Sequence, residues 1–216
     1  GEFPATVNRV APTRDSIYVT LPPYPPGGNC ALETNLPVTV TVTSNAQVAS
    51  ALFNYSIVHY RVPEDGYATI QSAVNAAIPG VCISVAPNVY LENVDMSPAN
   101  SPRNKVTLMS RFPTQSQKTR IEGGTSFTPV SPTVRFYHND AYTVLRGFEI
   151  VLGNSGVLVT DTARVQILDN GIRDNFASGM GGGIASFSRG RLTIDSCVIQ
   201  RNQGGASGGG IHIDAS

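Results

Sequence analysis

The residues of this chain that could do chemistry lie in its last third, between Tyr142 and Ser216. Asp169, Arg173 and Asp174 form one group, Asp195 and Arg201 a second, and His212 with Asp214 a third. Carboxylates and a histidine can move protons, and a guanidinium can neutralise an anion beside it. Asp174 and Arg201 stand 27 apart (174 to 201), which predicts that they stack within a few ångströms. An exposed pair of that kind is more often a surface ion pair than a site. His212 lies between Ile211 and Ile213, both expected to face inward, and is therefore predicted to point outward beside Asp214 as an acid/base pair. Asp174, Arg201, His212 and Asp214 are the catalytic candidates. His59 and His138 have no recurring partner and read as turn or strand-edge residues.

Position on the chain is set by a repeated phrase. Thr143–Ile150, Val165–Ile172 and Leu192–Ile199 align with one another, and a second phrase follows each, opening at Gly156, Gly183 and Gly210. Ile150, Ile172 and Ile199 are 22 and 27 apart, and the three glycines are 27 and 27 apart. A period in the twenties built of short strands predicts a solenoid. Alternate residues then face inward: Thr143 and Leu145 stack on Val165 and Ile167, and these on Leu192 and Ile194; Phe148 and Ile150 stack on Asn170 and Ile172, and these on Cys197 and Ile199. Asn175 and Asn202, also 27 apart, are predicted to form a ladder at a corner. Gly181-Gly182-Gly183 and Gly208-Gly209-Gly210 precede no helix and lack the lysine of a phosphate-binding loop, so they read as tight corners with positive φ.

Composition agrees with an all-β chain. Charged residues are 14% of 216, with 15 basic against 15 acidic, which leaves no basic stripe for nucleic acid or an anionic membrane. No apolar run reaches the roughly 18 residues of a membrane span, and no signal-peptide pattern opens the chain. Gly1-Glu2-Phe3 reads as a cloning remnant. Cys30, Cys82 and Cys197 form no C-x-x-C pair, so no metal or cofactor is expected; a Cys30–Cys82 disulfide and three unpaired thiols both remain open.

The N-terminal part is a different text. Residues 1–62 carry Pro12, Pro22, Pro23, Pro25 and Pro26, then alternating runs at Val38–Thr43 and Phe53–Ile57, and read as a small β-rich appendage or cover. Asn54-Tyr55-Ser56 fits the glycosylation tripeptide but falls in an expected strand. Residues 63–80 follow as a turn and a capping helix over Tyr67–Ile78, with Thr69 as its cap, Ile70, Ala73, Val74, Ala77 and Ile78 as its apolar stripe, and Pro79-Gly80 as its stop. Coils occupy 81–216, with strands also expected at Val106–Met109, Thr119–Ile121 and Thr133–Phe136 and longer loops at 97–104 and 111–118.

The run Ala68–Ala77, then Ile83-Ser84-Val85-Ala86-Pro87 and Tyr90-Leu91-Glu92-Asn93-Val94, resembles the opening of right-handed parallel β-helix proteins of the pectin lyase-like superfamily, pectin methylesterases included. In those proteins such a helix covers the N-terminal end of the solenoid. The resemblance spans about 30 residues and departs at Asn88, where many relatives have glycine. It implies an all-β right-handed parallel β-helix with a capping helix and a β-rich appendage. None of the catalytic sets of pectin methylesterases, polygalacturonases or calcium-dependent pectate lyases can be placed on this chain. The recurrence of an Asn nine residues before the Ile of Gly-Gly-Gly-Ile, at Asn175 to Ile184 and Asn202 to Ile211, resembles the repeats of polymorphic outer-membrane and other adhesin-like β-helix proteins. A secreted or cell-surface module with a structural, adhesive or glycan-binding role is the expectation, and a carbohydrate-active enzyme is the alternative. The chain stops at Ser216 after a strand, so the last coil is expected to be incomplete, with self-association or a partner subunit over it.

Overall fold

A computed structural model describes residues 58–97, 105–112, 119–124, 131–138 and 143–214, together with the strand assignments of four segments nearer the N-terminus. Those four are β1 (Thr6–Val10) paired antiparallel with β2 (Ile17–Thr20), and β3 (Asn35–Ser44) paired antiparallel with β4 (Gln47–Ser56). They contain the alternating run Val38–Thr43 and, of the run Phe53–Ile57, the residues 53–56; Ile57 lies outside the described residues. The Asn54 tripeptide falls in β4, and its side chains lie outside the described residues, as does most of the 97–104 loop and of the 111–118 loop.

Next come β5 (His59–Val62), α1 (Ile70–Ala76) and five coils. The first coil is β6 (Cys82–Val85), β7 (Val89–Leu91) and β8 (Val94–Asp95); the second is β9 (Thr107–Ser110), β10 (Arg120–Glu122) and β11 (Val134–Tyr137). The third is β12 (Thr143–Arg146), β13 (Glu149–Val151) and β14 (Val157–Asp161). The fourth is β15 (Val165–Leu168), β16 (Gly171–Arg173), β17 (Phe176–Ala177) and β18 (Ile184–Ser188), and the fifth is β19 (Leu192–Asp195), β20 (Val198–Gln200), β21 (Gln203–Gly204) and β22 (Ile211–Ile213). Stacking of the coils gives three parallel sheets: sheet A is β5-β6-β9-β12-β15-β19, sheet B is β7-β10-β13-β16-β20, and sheet C is β8-β11-β14-β18-β22. The chain is the parallel β-solenoid that its repeat predicts. Strand β5, placed in the appendage by its sequence, pairs in parallel with β6 and so belongs to sheet A.

The core is the stack of inward residues. Leu108, Leu145 and Ile167 succeed one another in register in sheet A, as do Ile121, Ile150 and Ile172 in sheet B, and all six are fully buried. The expected partners Val165↔Leu192, Ile167↔Ile194 and Ile172↔Ile199 are all present. A single coil cannot hide its own apolar face, so each layer depends on the next. Ile211 and Ile213, in register with Ile184 and Ser186, are 41% and 61% exposed.

Corners turn on single residues. Gly147, Asp169 and Ser196 follow β12, β15 and β19, and Leu152, Asp174 and Arg201 follow β13, β16 and β20; all six have positive φ. Aspartate tolerates this region, whereas leucine and arginine must be held there by their surroundings. Two buried asparagines do much of the holding. Asn170 accepts from the Phe148 N–H at 2.9 Å and donates to the Leu145 carbonyl at 2.9 Å. Asn175 accepts from the Gly153 N–H at 3.0 Å and donates to the Ile150 carbonyl at 3.1 Å and to Asn202 Oδ1 at 2.9 Å, the predicted ladder. At the glycine corners, Gly181 and Gly208 have the expected positive φ. Gly183 serves a different end: a Cβ there would meet the Gly210 carbonyl of the next coil at 2.4 Å.

The lid is shorter than its sequence predicts. Thr69 caps α1 by accepting from the Ser72 N–H at 3.0 Å, while Ser72 Oγ accepts from the Thr69 N–H at 3.2 Å. Ile70, Ala73, Val74 and Ala77 are buried, but Ala77 is already extended (φ −63°, ψ 134°). Ile78 therefore leaves the helical phase and lies 46% exposed, a correction to the expected stripe. Glu92, from the Tyr90-Leu91-Glu92 run, accepts from the N–H groups of Ile70 and Gln71 at 2.9 and 2.8 Å, fastening the lid's N-terminus to the first coil. Cys82 is disulfide-bonded and Cys197 is a free thiol, so three unpaired thiols are excluded; Cys30, the expected partner, lies outside the described residues. Among the described residues no helix is long and apolar enough to cross a membrane.

Candidate functional site

The predicted pair Asp174 and Arg201 is present, as part of a longer ladder on the outer side of sheet B. Arg201 donates to both carboxylate oxygens of Asp174 at 2.8 and 2.9 Å. Arg173 donates to Asp174 at 2.6 Å and to Glu149 at 2.8 Å. Hydrogen bonds from Arg201 and then from Arg173 hold the Asp174 carboxyl far below the usual carboxylate range. Such a carboxylate is a poor proton acceptor, and each of its neighbours is already engaged. Asp169 is likewise tied to Arg146, at 2.8 Å. Geometry here serves cohesion between coils.

His212 alternates with Ile211 and Ile213 on β22 and is half-buried. It pairs in register with Ala185, which is buried, and its ring packs on Phe187 with centroids 5.4 Å apart. Nδ1 lies 3.3 Å from Ser207 Oγ, and Nε2 is buried without a hydrogen-bond partner. Asp214 is exposed, and its N–H donates to the Ser186 carbonyl at 2.8 Å. His212 thus lies on the outer side of β22 as expected, with its ring against Phe187, while a Cβ on Gly208 would meet the His212 Cβ at 2.9 Å.

The outer face of sheet C carries a grouping that the sequence reading missed. Tyr137, Thr160 and Phe187 follow one another in register on β11, β14 and β18. Tyr137 is 44% exposed and Phe187 is 42% exposed, with the smaller Thr160 between them, so two rings flank a notch. His138 stands beside Tyr137 with ring centroids 4.2 Å apart and edge-on geometry. Its Nδ1 is 2.5 Å from Asp161 Oδ2, an ion pair when the imidazole is protonated. Both residues have positive φ and stand one place beyond the Tyr137↔Thr160 pair, which is why they meet. His138 is thus not an isolated turn residue. On the neighbouring column Arg135 meets Asp95 at 2.5 Å. Burial pushes the Asp95 carboxyl up, but hydrogen bonds from Arg135 and Ser97 outweigh it and hold the group below its usual range. His59, the other histidine set aside, lies in β5 with Nε2 2.8 Å from Ser84 Oγ.

Flat exposed rings beside polar side chains can stack on the C–H face of a sugar while the rim meets its hydroxyls. Among the described residues no group of three or more His, Cys, Asp or Glu is placed to hold a metal ion. A signal for this face was available: Val134–His138, Val157–Asp161 and Ile184–Ser188 align once the second phrase is extended back by one coil. Compared with known families, curated proteins and solved structures, the chain gives no match.

Proposed function

We propose that this protein is an extracellular or cell-surface β-solenoid module whose outer sheet C face contacts glycans. The observation that carries the reading is the column Tyr137–Thr160–Phe187, which leaves two aromatic rings exposed on one flat sheet face in a chain where aromatic residues are only 7%. Exposed aromatic rings in register on one face suit a ligand with a flat apolar side. Supporting context comes from the disulfide at Cys82, which fits an oxidising compartment, and from the resemblance of residues 68–94 to pectin lyase-like β-helices. Glycan-array binding tests the reading: wild type binds, and Tyr137→Ala and Phe187→Ala each bind more weakly while keeping the far-ultraviolet spectrum of the fold. Equal binding by both variants would overturn it.

A carbohydrate-active enzyme is the second reading, favoured by the His138–Asp161 pair. Arg164 and Arg191 stand at equal stations just before β15 and β19, and the Arg189 N–H donates to the Asp161 carbonyl at 2.7 Å. A histidine beside a carboxylate could act as an acid or base on a sugar. Turnover of uronan polymers that vanishes in His138→Ala would establish this; its absence across such polymers leaves binding alone.

A further inference from the structure

We infer, resting on the glycan reading of this face, that its ligand is a flat, ribbon-like β-1,4-linked glycan lying along the solenoid axis, with every second sugar stacked on a ring. Tyr137 and Phe187 are two strands apart in register, a separation of about 10 Å across parallel strands. In a flat β-1,4-linked chain with equatorial substituents, successive sugars are turned over, so sugars one and three present the same C–H face. Their separation matches two strand spacings. Thr160 leaves room between the rings for the intervening sugar, and its hydroxyl is directed to the Phe136 carbonyl at 3.3 Å rather than into a clash with it. The rings are held at fixed stations. Phe187 packs on the His212 ring, Tyr137 on the His138 ring, and the strand ends are tied by Ser188 Oγ donating to the Asp161 carbonyl at 2.8 Å. Neither platform needs a charged ligand, since Arg135 is engaged by Asp95 and His138 faces Asp161.

Calorimetric titration of β-1,4-linked gluco-, manno- and N-acetylglucosamine oligosaccharides of one to six sugars tests this, with α-1,4-linked polygalacturonate and amylose fragments as comparison ligands. Wild type is expected to gain about tenfold in affinity once the chain has three or more sugars and reaches the second ring. Phe187→Ala is expected to abolish that gain while keeping the weak short-chain binding, and Phe187→Tyr, which keeps a ring, to retain it. Smooth length dependence, or equal binding of the α-linked chains, would overturn the ribbon geometry while leaving a glycan surface in place. No binding of any glycan would overturn the underlying reading as well.

Discussion

Asn175 shows how one residue can hold three coils together. It is almost wholly buried, and its amide serves the Gly153 N–H, the carbonyls of Ile150 and Arg173, and Asn202 on the next coil. Replacing it by alanine strands several of these groups where water cannot reach, so Asn175→Ala is expected to lose about 3 kcal/mol in urea denaturation. Asp174→Asn, by contrast, weakens only a surface ladder and should leave the denaturation midpoint little changed. His212 gives a third check at this scale. Its buried Nε2 has no partner, so His212→Phe, which keeps the ring contact with Phe187, is expected to match or exceed wild-type stability. A loss of stability would mean that the imidazole has a role as donor or acceptor. Asn175, Asn202, Asp174 and Arg201 were legible because equal spacing of 27 makes neighbours of distant residues. The pair His138–Asp161 was not, because it is 23 apart (138 to 161) and joins coils of unequal length.

Elements depend on such contacts in turn. Helix α1 has seven residues, too short to stand alone, and is held by its buried stripe, its capping box and the Glu92 carboxylate at its first N–H groups. Glu92→Gln removes the charge but keeps the shape, and is expected to cost about 1 kcal/mol, read as a lower denaturation midpoint and faster amide exchange across Ile70–Ala76. The stripe and cap could be read from residue type; the early exit at Ala77 could not, because Ile78 keeps helical spacing while the chain has already turned toward β6. The turn before the lid sets an acid limit. Hydrogen bonds from Arg111 lower the Glu64 carboxyl from 4.5 to about 2, so the unfolded chain binds its proton first. Stability from this contact is complete above about pH 4.5 and is lost as pH falls toward 2. Acid titrations of unfolding are expected to show a shallower loss in that window for Glu64→Gln. His59 acts with the same sign at milder acidity: burial, then Arg61, lowers its pKa, so stability falls as pH drops below its usual value of 6.5.

For the molecule as a whole, the inward face and the outward face are under different rules. Inward residues must match the coil above and below, and this is why the sequence announces the solenoid so clearly through Leu108, Leu145 and Ile167. Outward residues need not repeat, so sheet B carries an ion-pair ladder while sheet C carries Tyr137, Thr160 and Phe187. Candidates chosen for recurrence therefore led to cohesion at Asp174 and Arg201, and the exposed rings emerged only when register placed them on one face. The most direct test of that placement is a map of backbone and side-chain chemical shifts of the 22.8 kDa chain during titration with a β-1,4-linked oligosaccharide. Shifts centred on Tyr137, His138, Thr160 and Phe187 are the expected result; shifts centred instead on Glu149, Arg173, Asp174 and Arg201 would contradict it.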